Sequence, residues 1–273
     1  MKNKTLKNIT SQRLFLPIFC LALVLLVNII TTPNFFSIEI RDGVLYGYMI
    51  DIINRASELV ILAVGMTLVV SSSAGTDISV GAIMAVSAAV CCNILTGGER
   101  AVTAYANPLI LGFIAALVVG AAIGCFNGFL VSKLNIQPMV ATLIMYTAGR
   151  GISQLITDGQ ITYVRVDSYR VLGASFPGFP VPTPFIVAVL VVALTSLLLK
   201  KTALGMYIQS VGINKRASQL VGIKSVLIIF LTYAYCGLCS GLAGLIASSR
   251  IYSADANNIG LNMELDAILA VAI

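Results

Sequence analysis

Apolar and polar residues in this chain alternate in blocks far longer than a helix turn or a surface strand. Apolar runs cover Leu14–Thr31, Leu59–Ser71, Ile78–Leu95, Pro108–Val131, Val140–Ile156, Val181–Leu199 and Val226–Ser249, and an eighth begins near Asp266 and reaches Ile273. A helix needs about 20 apolar residues to cross the hydrocarbon core of a bilayer. The pattern therefore predicts an all-α, polytopic transmembrane bundle: a cytoplasmic tail at residues 1–13, then one membrane domain over 14–273. Leu14–Thr31 follows a basic start but no small-residue cleavage site follows it, so it reads as a retained span. The two longest polar breaks are Asp158–Pro180 and Lys200–Ser225.

The join between Leu59–Ser71 and Ile78–Leu95 departs from this pattern. The first run is short, and the gap Ser71-Ser72-Ser73-Ala74-Gly75-Thr76-Asp77 is small and polar rather than basic. It is either an ordinary cytoplasmic turn or an interruption of helices lying partly within the membrane. Irregular backbone at that depth is tolerated only where protein buries it or a watery cavity meets it, and transporters place substrate sites at such breaks.

Composition makes lipid the solvent. Of the 273 residues 58% are hydrophobic and 10% charged, with mean hydropathy +0.98, whereas a soluble domain carries about 25% charged residues. The absence of His excludes imidazole catalysis and His metal sites. Cys236-x-x-Cys239 has redox or metal spacing, but all six cysteines lie in apolar stretches, where they read as small packing residues. No metal or cofactor is expected.

Charge then orients the chain. With the N-terminus inside, the cytoplasmic segments hold Lys2, Lys4, Lys7, Arg13, Lys133, Lys200, Lys201, Lys215, Arg216 and Lys224 and no acid. The opposite side holds six arginines among Glu39, Asp42, Asp51, Glu58, Glu99, Asp158, Asp167, Asp255, Glu264 and Asp266. The positive-inside rule favours this arrangement, and an anionic leaflet accounts for the net charge of +6 without nucleic acid.

Only Asp77 and Arg150 are left without water. An ionisable group inside a span costs at least about 2.5–3.5 kcal/mol, so such groups pair or face a cavity. Arg150 is thus a pathway residue or a partner for Asp77, or else an interfacial Arg whose head snorkels to water. Gly120, Gly124 and Gly128 share one helix face and allow tight helix packing or dimerisation. In the break Lys200–Ser225, Asn214 is a good N-cap, Lys215–Val221 can form two helical turns, and Gly222 suits the position past its end. This is either a plain connecting loop or an element that docks into a cytoplasmic partner.

Several blocks together resemble the permease subunits of bacterial sugar ABC importers of the ribose/galactofuranose type. They are Gly65–Val70, Gly75-Thr76-Asp77-Ile78-Ser79-Val80-Gly81, Asn127–Val131, Pro138–Leu143 ending at Arg150-Gly151, Thr202–Gly205 through Asn214 to Val221-Gly222-Ile223, and Gly260–Ile268. Ala74, Thr76 and Ile213 stand where that family usually has Gly, Ile and Gly. The opening Arg41-Asp42-Gly43 with Asp51–Ala56 looks most like the galactofuranose permeases. Members of the family continue with further spans, so the chain is expected to be shortened at its C-terminal end.

The resemblance implies a non-enzymatic subunit of the inner membrane. It would pair with a second permease, identical or related, and work with a cytoplasmic ATP-binding subunit and a periplasmic sugar-binding protein. Asp77, Ser79, Asn127 and Arg150 become the expected translocation-pathway residues, and Asn214, Lys215, Arg216 and Gly222 the expected coupling residues within the loop 200–225. The chain holds no phosphate-binding glycine loop followed by Lys and Ser/Thr. The competing reading is a secondary transporter or channel working without an ATPase. It calls for a relay of intramembrane carboxylates, for which Asp77 alone qualifies.

Overall fold

The computed structural model describes residues 15–32, 34–41, 44–176 and 178–272. The tail 1–13 with its basic residues, the Asp42-Gly43 pair and Ile273 lie outside the described residues.

The described residues form a helical bundle with eleven helices. In chain order they are α1 (Phe15–Thr31), α2 (Tyr48–Ser73), α3 (Val80–Thr96), α4 (Leu109–Ser132), α5 (Pro138–Ile156), α6 (Asp167–Arg170), α7 (Thr183–Lys201), α8 (Leu204–Ile213), α9 (Lys215–Leu220), α10 (Ser225–Ile251) and α11 (Met263–Ala272). Helices α2, α4, α7 and α10 are long and apolar enough to cross a membrane, and α1 and α3 are shorter apolar helices. The chain is a multi-pass membrane protein. α1 buries none of its residues, so Leu16, Phe19, Leu23 and Ile30 are left as an open apolar surface that suits lipid.

Helix α3 is the centre. Nearly every residue from Val80 to Cys92 is buried, which explains why its sequence shows no polar face: a helix surrounded by other helices has no water side. α10 packs along α2, α3 and α4. Its contact with α4 is close because glycines face each other. A Cβ added at Gly120 would stand 2.7 Å from the carbonyl oxygen of Gly237, and one at Gly124 would stand 2.9 Å from the Gly237 Cα. The glycine face of α4 therefore serves packing within this chain, one of the two roles its spacing allows.

Five short strands mark one end of the bundle. β1 (Glu39–Arg41) and β2 (Val44–Tyr46) form a hairpin, and β3 (Ala101–Val102), β4 (Thr162–Val164) and β5 (Ser253–Ala254) form a three-stranded sheet in that order. β4 pairs parallel with β3 and antiparallel with β5. This sheet gathers the segments after α3, α5 and α10. At the other end, Lys215 of α9 donates to Asn135 Oδ1 in the α4–α5 turn at 2.7 Å. The acid-rich segments thus collect at the sheet end, while Lys133, Lys215, Arg216 and Lys224 collect at the connector end.

Two expectations need correction. The short span expected at Leu59–Ser71 is the second half of a 26-residue helix that starts at Tyr48. Asp51, Asn54, Arg55, Ser57 and Glu58 broke the apolar run, yet a helix satisfies its own backbone whatever its side chains carry. Glu58 and Glu264, placed in aqueous segments by their charge, are both only 3% exposed. Glu58 is neutralised by Arg250 of α10, with Nη1 2.6 Å from Oε1. This ion pair joins two elements 192 positions apart, a separation that no local pattern reports.

Candidate functional site

The interruption between α2 and α3 builds the polar centre of the bundle. α2 ends at Ala74, which takes a left-handed conformation (φ +52) and donates its N–H to the Val70 carbonyl. The chain then turns back into the bundle. Gly75 lies on Pro138 at the start of α5, and the Asp77 N–H reaches Met66 Sδ at 3.4 Å. Met66 stands seven residues before the end of α2, so at 1.5 Å per residue Asp77 sits about 10 Å inside that end. Of the two readings of the Ser71–Asp77 gap, the structure has the interrupted helix rather than the plain turn.

Asp77 is fully buried. Its Oδ1 accepts from the Ser79 N–H at 2.9 Å and the Ser79 hydroxyl at 2.6 Å. Asn127 of α4 donates from Nδ2 to Ser79 Oγ at 2.8 Å, and Thr142 of α5 accepts the Ile78 N–H through Oγ1 at 3.1 Å. Three of the expected pathway residues, Asp77, Ser79 and Asn127, therefore form one network, tying α4 and the break to the start of α3. The carboxylate also stands at the N-terminal end of α3, where exposed N–H groups and the helix dipole favour negative charge. Asp77 Oδ2 and Asn127 Oδ1 are buried with no hydrogen-bond partner among the described residues. That leaves the network with spare acceptors facing the interior.

A second carboxylate lies close by. Glu264, in the first turn of α11, packs with the Gly260 carbonyl directly over Gly81, where any side chain would collide with both. Gly260 itself has φ +67. The close crossing thus requires glycine on both sides. Sequence reading missed Glu264 as a site residue, and the signal available was its place in the Gly260–Ile268 block.

Arg150 does not join this network, which corrects its reading as a partner for Asp77. It lies eight residues beyond Thr142 on α5, about 12 Å further along the helix axis. Its Nη1 donates to the carbonyls of Ala256 at 3.0 Å and Ile259 at 2.6 Å. Gln154, one turn on, donates to Asn257 Oδ1 at 2.7 Å. Arg150 therefore holds the loop between β5 and α11, the loop that carries Gly260 and Glu264. Its charge is half-buried on carbonyl dipoles, the usual solution for a cation within a bundle.

At the connector end, Asn214 caps α9 by accepting the Ala217 N–H through Oδ1 at 2.9 Å. Past the helix, Gly222 has φ +88 and donates to Gln219 O, while Ile223 donates to Ser218 O, each at 3.0 Å. This pair of bonds is a Schellman stop, which needs the left-handed residue that glycine supplies. The expected two-turn helix is present over Lys215–Leu220, and Arg216 is exposed on it. Sequence reading missed α8, the ten-residue helix before it. There Gly212 abuts the carbonyl of Ser71 on the last turn of α2. A cavity of about 250 Å³, lined by Ser72, Ser73, Asn135, Pro138, Gly212 and Lys215 among others, lies between the connector and the break. Ile213, Leu220 and Val221 are 86%, 89% and 75% exposed, an unusual apolar projection on a lysine-flanked segment.

A break between two packed apolar helices, a buried polar network and a capped connector braced against the break are features that suit a membrane transport subunit. Residues 48–273 match the family described as "branched-chain amino acid transport system / permease component", and the chain belongs to it. It is similar to the galactofuranose transporter permease protein YtfT of Escherichia coli, 47% identical over 253 residues, which cover 93% of this chain and 71% of the relative. It is also similar to the fructose import permease FruF of Bifidobacterium longum (38% identical; 99% and 75% covered) and the ribose import permease RbsC of E. coli (36%; 93% and 75%). No solved structure matches the chain significantly.

Proposed function

We propose that the chain is the permease subunit of an ATP-driven importer that carries a monosaccharide across the inner membrane. The observation that carries this reading is the similarity, along almost the whole chain, to three permeases, two of them named as import permeases, whose names all specify sugars. The family description names branched-chain amino acids, but the nearer similarities favour a sugar. In this reading the N-terminus is cytoplasmic, with residues 1–13 as its tail and 14–273 as one membrane domain. The basic connector 200–225 faces a cytoplasmic ATP-binding subunit, and the acid-rich sheet end faces a periplasmic sugar-binding protein. A second permease subunit completes the pathway.

Asp77, Ser79 and Asn127 are assigned to that pathway, since their spare oxygens can accept hydroxyl donors once the bundle opens. Arg150 is assigned to positioning the loop 255–262 beside it. Asn214, Lys215, Arg216 and Gly222 are assigned to coupling. The exposed Ile213, Leu220 and Val221 supply an apolar surface for a partner groove. The contacts Gly212–Ser71 and Lys215–Asn135 offer a route by which movement of α9 reaches the break. Ion- or proton-driven transport without an ATPase is less well supported, because no hydrogen bond links Asp77 to Glu264 among the described residues and Glu58 is paired with Arg250. The test is co-purification with candidate ATPase and binding proteins followed by ATP hydrolysis and uptake in proteoliposomes. Sugar-stimulated hydrolysis with uptake supports the importer, and uptake driven by an ion gradient without ATP overturns it.

A further inference from the structure

The sheet end carries a second polar recess, separated along α2 from the Asp77 network. It encloses about 330 Å³ and is lined by β2, the first turns of α2, α6, the segment 173–175 and the end of α10. That volume lies at the small end of the ~300–1,000 Å³ range typical of small-ligand sites. Its polar lining includes Asp51, Asn54, Asp167, Arg170, Arg250 and Tyr252. Two carboxylates and two guanidinium groups share this lining, one of the latter already matched by Glu58, so it offers both acceptors and donors.

Two side-chain hydrogen bonds within this lining are long. Asn54 Nδ2 reaches the Gly173 carbonyl at 3.4 Å, and the Tyr252 hydroxyl reaches Asp167 Oδ1 at 3.3 Å, both beyond ordinary bond lengths. Asn54 Oδ1 is buried with no partner among the described residues. An unmet buried acceptor costs about 1–3 kcal/mol, a cost that a bound hydroxyl group would relieve once the Asn54 amide turns into the recess. Arg250 is held from below by Glu58, and Arg170 stacks 5.7 Å from the Tyr252 ring centre, so both guanidinium groups are fixed in place. Paired acceptors and donors at fixed positions, with a rim of Val44, Leu45 and Pro182, suit a neutral ligand with several hydroxyl groups.

We infer that this recess is a low-affinity binding site for a neutral polyhydroxylated molecule of monosaccharide size, at the mouth of the bundle opposite the connector. The sugar class rests on the importer reading; the recess and its unmet acceptor do not. Such a site would hold sugar between release from a delivering protein and entry into the bundle.

The test uses the permease in nanodiscs without binding protein or ATPase. Saturation-transfer NMR is recorded with D-ribose, D-fructose and methyl β-D-galactofuranoside in turn, and with L-leucine as a zwitterionic competitor. At least one sugar should receive saturation and leucine should not displace it. Asn54→Ala and Asp167→Ala should each weaken binding about tenfold, the effect of one lost hydrogen bond to a polar or charged group. Leu45→Trp should block the signal by filling the recess from its rim, with every polar group retained and the protein still eluting as one species. Lys133→Gln, at the other end, should leave it unchanged. No transfer from any of the three sugars, transfer that survives Leu45→Trp, or displacement by leucine would overturn the inference. If the assembled complex imports sugar while the permease alone shows no such binding, this inference fails and the importer reading stands.

Discussion

The connector helix α9 makes a quantitative prediction because its stop rests on one backbone angle. Gly222 has φ +88, and a Cβ built there meets nothing within 4 Å. Substitution therefore tests conformation without steric clash. Placing an ordinary L-residue in the left-handed region costs roughly 1–2 kcal/mol, and a β-branched residue falls at the upper end. A six-residue helix has little stability of its own, since helices shorter than about 12 residues are marginal in water. The loss should appear as local opening. At about 1.4 kcal/mol per factor of ten, Gly222→Ala should speed amide exchange of Ser218–Ile223 by about five- to tenfold and Gly222→Val by about thirtyfold. Gly222→Asn should stay closer to the parent, because Asn tolerates the left-handed region. The assay is hydrogen–deuterium exchange by mass spectrometry on the permease in nanodiscs, with α3 as internal reference. Equal exchange in Gly222→Val and the parent, or an Asn variant as disturbed as the Val variant, would refute the assignment of the stop to this angle. If α9 couples to an ATPase, the Val variant should also hydrolyse ATP with diminished uptake per turnover.

Other perturbations separate the remaining roles. In a background with the native cysteines replaced, Cys introduced at Lys215 and at Asp167 should label with impermeant maleimide from opposite sides, Lys215 from the cytoplasm; labelling of both from outside refutes the orientation. Asp77→Asn keeps an oxygen to accept from Ser79, so insertion and assembly should persist while uptake falls, and an unaltered uptake rate would reduce Asp77 to a structural cap. Glu58→Gln should destabilise by about 3–5 kcal/mol by leaving the Arg250 charge uncompensated, with much of the loss recovered in Glu58→Leu/Arg250→Met; thermal denaturation in detergent decides, and a double variant no better than the single removes the ion pair from the account. Gly124→Leu should force α4 from α10 and lower thermal stability sharply, whereas Gly151→Ala, with nothing within 4 Å of its Cβ, should be tolerated; similar effects of the two would contradict the packing described.

Much of this protein is legible along the chain. Apolar run length set the rough position of the long apolar helices, because hydrocarbon must be met by apolar side chains over a fixed thickness; four of them are long enough to cross a membrane among the described residues. Charge asymmetry sorted the loops into two groups, and the groups do collect at opposite ends of the bundle. Asn214 and Gly222 marked the ends of α9, since caps act through backbone groups only three or four residues away. The network of Asp77, Ser79 and Asn127 was half visible: the motif named the residues, but their hydrogen bonds join α4 to the break across 48 positions. Tertiary structure alone decided the rest. Glu58 and Glu264 read as aqueous acids because charge normally marks water, and only Arg250 on α10 and Gly81 on α3 reveal why they are buried. The first turns of α2 were hidden by the same charges. Arg150 was recognisable as a cation within the bundle, yet its partners are two backbone carbonyls more than 100 positions away, and a backbone carbonyl carries no residue-specific signal. Local rules depend on nearest neighbours along the chain, whereas the cost of burying a charge depends on whichever distant group the fold brings to meet it.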